Sequence, residues 1–311
     1  MGLILRICVT LVTLGLVTSL ACAQSVVVVA SDRSVPYAQA TDAIMREWSR
    51  AGGNPADIQH VVVSDAGAMA EVMQRKPRLI VTLGVDALRD AVSEEWRVPI
   101  LASLIPRVAV DRLQRKMSRR QVNSLSAVYL DQPPGRQLDL LQLAIPGVRG
   151  IGVLWGPESA GQRAALATAA TARHLEIAES TVSDESAIYT GLKATLGDVD
   201  ALLAIADPVV YNSATISNIL LASYRAKVPM LAFSPAYVKA GALIAIYSTP
   251  TQIGTQTGLL ARGLAAGGST GVTQYPADFT VMVNEHVARS LGLTLDAAAL
   301  AERLRLLEKR P

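Results

Sequence analysis

The chain has almost no cysteine, few aromatic rings, few histidines and little net charge, and each shortage removes a class of function. Cys8 and Cys22 are the only two cysteines in 311 residues. Both fall within residues 1–23, which read as an export signal: Arg6, an apolar run from Ile7 to Leu20, and Ala21-Cys22-Ala23 as the cleavage site. Cleavage there would leave Gln24 first and no thiol, which excludes disulfides, zinc–thiolate centres and cysteine nucleophiles. The formal charge of +3 falls to +2 with Arg6, the one charged residue in that segment, and this is too near neutral for a nucleic-acid footprint. Arg112, Arg115, Lys116, Arg119 and Arg120 form a local basic run, read as a solvated face. His60, His174 and His286 are far apart, and His-x-x-x-His, Gly-x-Ser-x-Gly and the Lys-Ser/Thr phosphate loop are all missing. No catalytic residue, cofactor or metal is therefore expected.

Two fates of the leader are distinguishable. Soluble release after Ala23 gives a free periplasmic protein; lipid attachment at Cys22 would tether it. A lipobox wants Leu three residues before the cysteine, and Ser19 stands there, which favours release. No later stretch supplies the ~18 consecutive apolar residues of a spanning helix.

About 290 residues remain after cleavage, more than one core usually serves, so two lobes are expected. Short apolar runs alternate with helical spacing: Val26 to Ala30, Ile58 to Val63, Leu79 to Leu83 and Val98 to Leu104 form a first strand series. After Val128 to Asp131 and the break at Pro133-Pro134, a second series follows, Ile151 to Trp155, Leu175 to Thr181, Ala201 to Ile205 and Val228 to Phe233, with a helix expected over Val210 to Ala226. Continuous β-branched runs between helices indicate parallel sheets covered on both faces. A late helix, Gln252 to Ala265, and a strand, Phe279 to Val283, suggest that the chain returns to the first lobe and crosses again. The expected lobes are 24–129 plus about 249–276, and 130–248 plus about 277–311, with crossings near Tyr129, Ser248 and Pro276.

Four stretches carry a family likeness: Leu140 to Trp155 with its Pro146-Gly147 turn, Asp200 to Pro208, Val228 to Tyr247, and Phe279 to Leu293 with Asn284 leading a helix. In this order the chain resembles the periplasmic substrate-binding proteins of bacterial ABC transporters, in the branch that captures aromatic amino acids and similar small ligands. The resemblance implies an α/β fold of two doubly wound parallel-sheet lobes, type I periplasmic-binding-protein-like, joined by a three-crossing hinge. It also implies a small-molecule ligand, an ABC permease as partner and a monomeric protein without enzymatic activity. A sensor of the same fold, reporting ligand state to a membrane receptor such as a histidine kinase, is the alternative.

Open α/β sheets bind ligands beyond the carboxyl ends of their strands, and the candidate contacts follow from that rule. Asp207, at the end of an apolar strand, is expected to contact ligand and to cap the helix that Pro208 opens, two roles that can coexist, and the resemblance implies an ammonium group as its ligand partner. Trp155, Tyr211, Phe233, Tyr237 and Tyr247 gather at second-lobe strand ends in a chain with only 4% aromatic residues, which suits a planar ligand. Ser234 lies beside them. In the first lobe Ser31, Asp32 and Arg33 follow strand one and Gly84 follows strand three, where helix-start N–H groups can meet an anion. Arg33 and Arg107 are candidates for a clamp on an anionic group.

Overall fold

The computed structural model describes residues 26–65, 67–93 and 98–309. The expected leader, Cys22 and the start at Gln24 lie outside the described residues. Five strands open the chain, β1 (Val26–Ala30), β2 (Ile58–Val62), β3 (Leu79–Leu83), β4 (Ile100–Ile105) and β5 (Leu125–Tyr129). Five more follow, β6 (Gly150–Trp155), β7 (Glu176–Thr181), β8 (Ala201–Leu203), β9 (Met230–Ala232) and β10 (Ile244–Tyr247), then β11 (Thr273–Gln274) and β12 (Thr280–Val283). They make two six-stranded sheets, in the orders β2-β1-β3-β4-β5-β11 and β7-β6-β8-β9-β10-β12. Every pair is parallel except β10 with β12.

Burial explains why these runs are strands. Val26, Val28 and Ala30 enter one apolar cluster with Ile44 and Trp48, while Val27 and Val29 enter another with Ile80 and Ala102. Alternate side chains thus fill opposite faces, and a strand buried on both faces must be apolar throughout. The same order in both sheets leaves a switch point between β1 and β3 and another between β6 and β8, each opening toward the strands' carboxyl ends.

Sheet membership makes the chain pass between lobes three times: from Tyr129 to Pro134, from Tyr247 to Pro250, and from Gln274 to Thr280. One polar network holds the passages together. Gln132 donates to the Ser248 hydroxyl at 2.9 Å, which donates to the Asp278 carbonyl at 2.6 Å. Arg136 donates to Gln132 Oε1 and to the Pro276 carbonyl, each at 2.8 Å, and pairs with Glu308 of the last helix, Ala297–Glu308. Its guanidinium lies over the Phe279 ring, 4.6 Å from the centroid.

After the second passage the helix Pro250–Ala265 packs along the helix Val35–Arg50 on the first sheet, with Gly254 and Gly258 against Ala40 and Ile44. The buried hydroxyls of Ser103 and Thr257 are 2.6 Å apart.

Two elements differ from expectation. β8 stops at Leu203, and the following helix is Ile216–Arg225 rather than one starting at Val210. Between them side chains take the place of a helical ladder: Asn212 Oδ1 accepts from Ala214 N and Thr215 N, and the Thr215 hydroxyl donates to the Val210 carbonyl at 2.7 Å. Asn and Thr compete with helical hydrogen bonding in this way. The two-residue strand β11, which binds the returning chain to β5, was too short to show a period.

Arg112 of the first lobe donates to Glu158 of the second at 2.8 Å, so at least this member of the basic run is not merely solvated. The side chains are 47% and 33% exposed, and such pairs contribute below about 1 kcal/mol. A double-mutant cycle with Arg112→Ala and Glu158→Ala should give a coupling of that size at low salt and none above about 0.5 M, where the Debye length shrinks to a few ångström.

Candidate ligand-binding cleft

Between the carboxyl ends of the two sheets lies a cavity of about 530 Å³. The first lobe supplies the turn after β1 and the start of the helix Val35–Arg50 (Asp32, Ser34, Pro36, Tyr37), together with Leu104 at the end of β4 and Pro106 just after it. The second lobe supplies Gln137 and Gln162, the segment 204–206 after β8, and Phe233, Ser234 and Pro235 after β9. Leu130, Asp131 and Gln132 of the first passage and Ile246 to Pro250 around the second complete it.

Of the side chains expected from sequence, Ser234 and Tyr247 are on the wall, and so is Phe233. Phe233 is set by the two rings behind it, edge-on to Tyr237 at 5.1 Å and to Tyr211 at 6.0 Å between centroids. Tyr211 is buried and takes its neighbour's hydroxyl on its carbonyl, with Tyr237 donating at 3.1 Å. Burial pushes both phenols up. These tyrosines support the wall from behind and do not line it.

The remaining expected contacts lie off the cavity wall. Trp155 is 0% exposed within β6, its indole donating to Glu179 at 2.6 Å, because its strand position points the ring at the covering helix rather than past the strand end. Asp207 is 2% exposed. One carboxylate oxygen accepts from Glu158 N at 3.0 Å and Ser159 N at 2.8 Å, and the other from Val209 N at 2.9 Å. No helix opens at Pro208, so the expected cap has no helix to close; the carboxylate instead ties the turn after β6 to the turn after β8. Ser31 donates to the Leu83 carbonyl and accepts from Ala87 N, joining β1 to the helix Val85–Ser93. Gly84 has φ +93°, and a side chain there would collide with the Tyr37 hydroxyl. It acts through Tyr37, which does line the cleft.

The anion clamp expected of two arginines is not assembled. Arg33 forms an exposed pair with Asp65, its Nη2 donating to both carboxylate oxygens at 2.9 and 2.8 Å. Arg107 donates to the Tyr275 hydroxyl at 2.8 Å and lies 3.6 Å from Asp111. Neither lines the cavity.

Sequence reasoning missed Tyr37, Asp131, Gln132, Gln137 and Gln162. Asp131 was findable, since it follows β5 as directly as Asp207 follows the run after β8. Its Oδ2 accepts the Arg107 N–H at 2.7 Å, yet burial dominates and raises its pKa. Asp32, exposed on the facing lobe, has its pKa lowered by hydrogen bonds from Ser34.

The profile of the ABC transporter substrate binding protein family matches residues 58–305. The chain belongs to this family. It is thus a substrate-binding protein of the ABC transporter type, a class whose partners are a small-molecule substrate and a transporter permease. No curated protein matches it. Solved structures share its architecture at low identity. A ligand-free, open substrate binding protein with adhesive properties from Clostridium difficile is 16% identical, covering 88% of this chain and 96% of its own, with a TM-score of 0.70. An ABC domain from Streptococcus pneumoniae in complex with L-Trp is 16% identical over 89% of this chain and 97% of its own, TM-score 0.59. A periplasmic ribose ABC transporter structure from Conexibacter woesei, 13% identical over 90% and 97%, has a TM-score of 0.51. The fold is that of type I periplasmic binding proteins.

Proposed function

We propose that this substrate-binding protein is exported to the periplasm, encloses one small ligand, amino-acid-like or planar, in the cleft between its lobes, and delivers it to an ABC importer. The observation that carries this reading is the cavity itself, which joins both lobes and all its aromatic side chains, Tyr37, Phe233 and Tyr247, at the sheets' carboxyl ends. Its volume falls in the range of sites for small organic ligands, about 300–1,000 Å³. A ligand touching both walls favours the closed arrangement by whatever it binds more tightly there. No covalent chemistry is needed. The Streptococcus relative bound to L-Trp is consistent with a planar ligand, although at that identity only the fold is shared. Among the described residues no helix is long and apolar enough to cross a membrane.

Mass spectrometry of small molecules released from protein purified under native conditions tests the reading, with one ring-bearing or amino-acid-like compound expected at near-stoichiometric yield. Phe233→Ala should weaken calorimetric binding of that compound about tenfold through lost stacking and apolar contact. Unchanged affinity would move the ligand away from this wall. Intact-mass analysis should find Gln24 as the first residue, and a lipid on Cys22 would contradict release.

A further inference from the structure

Among the described residues the cavity wall holds two carboxyl groups, Asp32 and Asp131, and no lysine, arginine or histidine. We propose that the cleft selects its ligand through a cationic nitrogen held at Asp131, and that a carboxylate on the ligand adds nothing to binding. This deepens the preceding proposal and rests on the cleft being the ligand site.

Asp131 stands on the first passage between the lobes, next to Gln132 of the hinge network. One of its oxygens is used by the Arg107 N–H. The charged groups that face it are Arg107 and Asp111. The Arg107 guanidinium is directed to Tyr275 and Asp111, so it stays off the cavity wall, and its charge favours ionised Asp131 less than burial disfavours it. Its donors are backbone N–H groups, those of Arg107 and of Asp131 itself, and burial outweighs them; an ammonium or amidinium group is the partner that restores what burial removes. Burial raises the pKa of Asp131, in keeping with a carboxyl group short of positive partners. Asp32 adds a second negative charge across the cleft.

Two further observations agree. Gln137 Oε1 is a buried acceptor without a donor on the same cavity, its amide nitrogen being spent on the Gln132 carbonyl. The aromatic side chains of Phe233, Tyr37 and Tyr247 present the kind of faces that attract a cation and do not attract an anion. Donors for a neutral part of the ligand are present in the unpartnered Gln162 Nε2 and the Ser234 hydroxyl. A carboxylate would find only such neutral donors and helix-start N–H groups, against two like charges.

The test uses full mature protein, unfolded and refolded to strip it, in thermal-shift and calorimetric titrations with ring-matched probes. Tryptamine, L-tryptophan and indole-3-propionate form one set, and tyramine, L-tyrosine and 3-(4-hydroxyphenyl)propionate another. Diamines, sugars and dicarboxylates complete the panel, and any molecule released natively is scored by the same charge classes. Every stabiliser is expected to carry a cationic nitrogen, and each amine should bind at least as tightly as its amino acid. Asp131→Asn keeps an oxygen for the Arg107 N–H and should melt close to the parent while losing at least tenfold in affinity for the best amine. The inference is overturned by a ligand that is neutral or only anionic, by an amino acid binding more than tenfold tighter than its amine, or by unchanged affinity in Asp131→Asn. A panel without any stabiliser and a native preparation that releases nothing would instead reject the cleft as the ligand site.

Discussion

Asp207→Ala should lose about 3–5 kcal/mol of stability, because three backbone N–H groups, the buried one of Ser159 and the partly buried ones of Glu158 and Val209, would be left without their common acceptor. An ordinary helix cap is worth about 1 kcal/mol, and the larger figure follows from the carboxylate tying two separate turns together. Against a total of about 5–15 kcal/mol, the variant should unfold at a markedly lower urea concentration. Asp207→Asn, which keeps one acceptor oxygen, should fall between the two. Because Glu158 hangs from the turn that Asp207 holds, the pair with Arg112 should weaken too. A variant with parental stability and weakened ligand binding would return Asp207 to the ligand role that its position after an apolar strand suggests.

Gly254→Leu should be at least as damaging. A Cβ at this position would lie 2.5 Å from the Ala40 carbonyl oxygen and 2.9 Å from the Ala40 Cα, and neither backbone atom can move without shifting the helix Val35–Arg50. Overpacking a tight contact costs about 1–3 kcal/mol where side chains can adjust, and a backbone obstacle puts the expected loss at about 3 kcal/mol or more. The displaced helix begins at the cleft with Ser34, Pro36 and Tyr37, so ligand affinity should fall along with stability. Gly263, one helical stretch further on, supplies the control. A Cβ there meets nothing within 4 Å, and Gly263→Ala should stabilise the protein by about 0.5–1 kcal/mol by removing backbone freedom from the unfolded chain. Equal melting temperatures for the two variants would mean that the interhelical contact is looser than its geometry.

The contrast between fold and site shows what a single sequence conveys. Val26–Ala30 and Leu79–Leu83 are buried on both faces, and that demand writes itself into every residue of the strand. Ligand contacts impose no such period. Trp155 and Tyr247 both sit at strand ends in the sequence, yet one ring turns into the core, against Leu166 and Ala170, and the other to the cleft. Phe233 could be placed because Ser234 and Pro235 end its strand abruptly. Tyr37 is reached only once the helix Val35–Arg50 is known to point at the cavity, and Gln162 only through the loop that carries it. The arginine clamp failed for a different reason: Asp65 and Asp111, distant or unremarkable in sequence, had first claim on Arg33 and Arg107.

The network through Arg136, Gln132, Ser248 and the Asp278 carbonyl links all three passages, and two of its members, Gln132 and Ser248, are also the floor of the cleft. The floor is therefore the axle of any opening motion. Atoms on an axle keep their places while the walls swing, so a ligand resting there meets the same floor in the open and the closed protein. A contact made equally in two states tightens binding and leaves their ratio untouched. Asp131, beside the axle, would then govern which molecules are captured, and the Phe233 and Tyr37 walls would govern whether capture closes the lobes. Affinity and closure would be set by different residues and could vary independently.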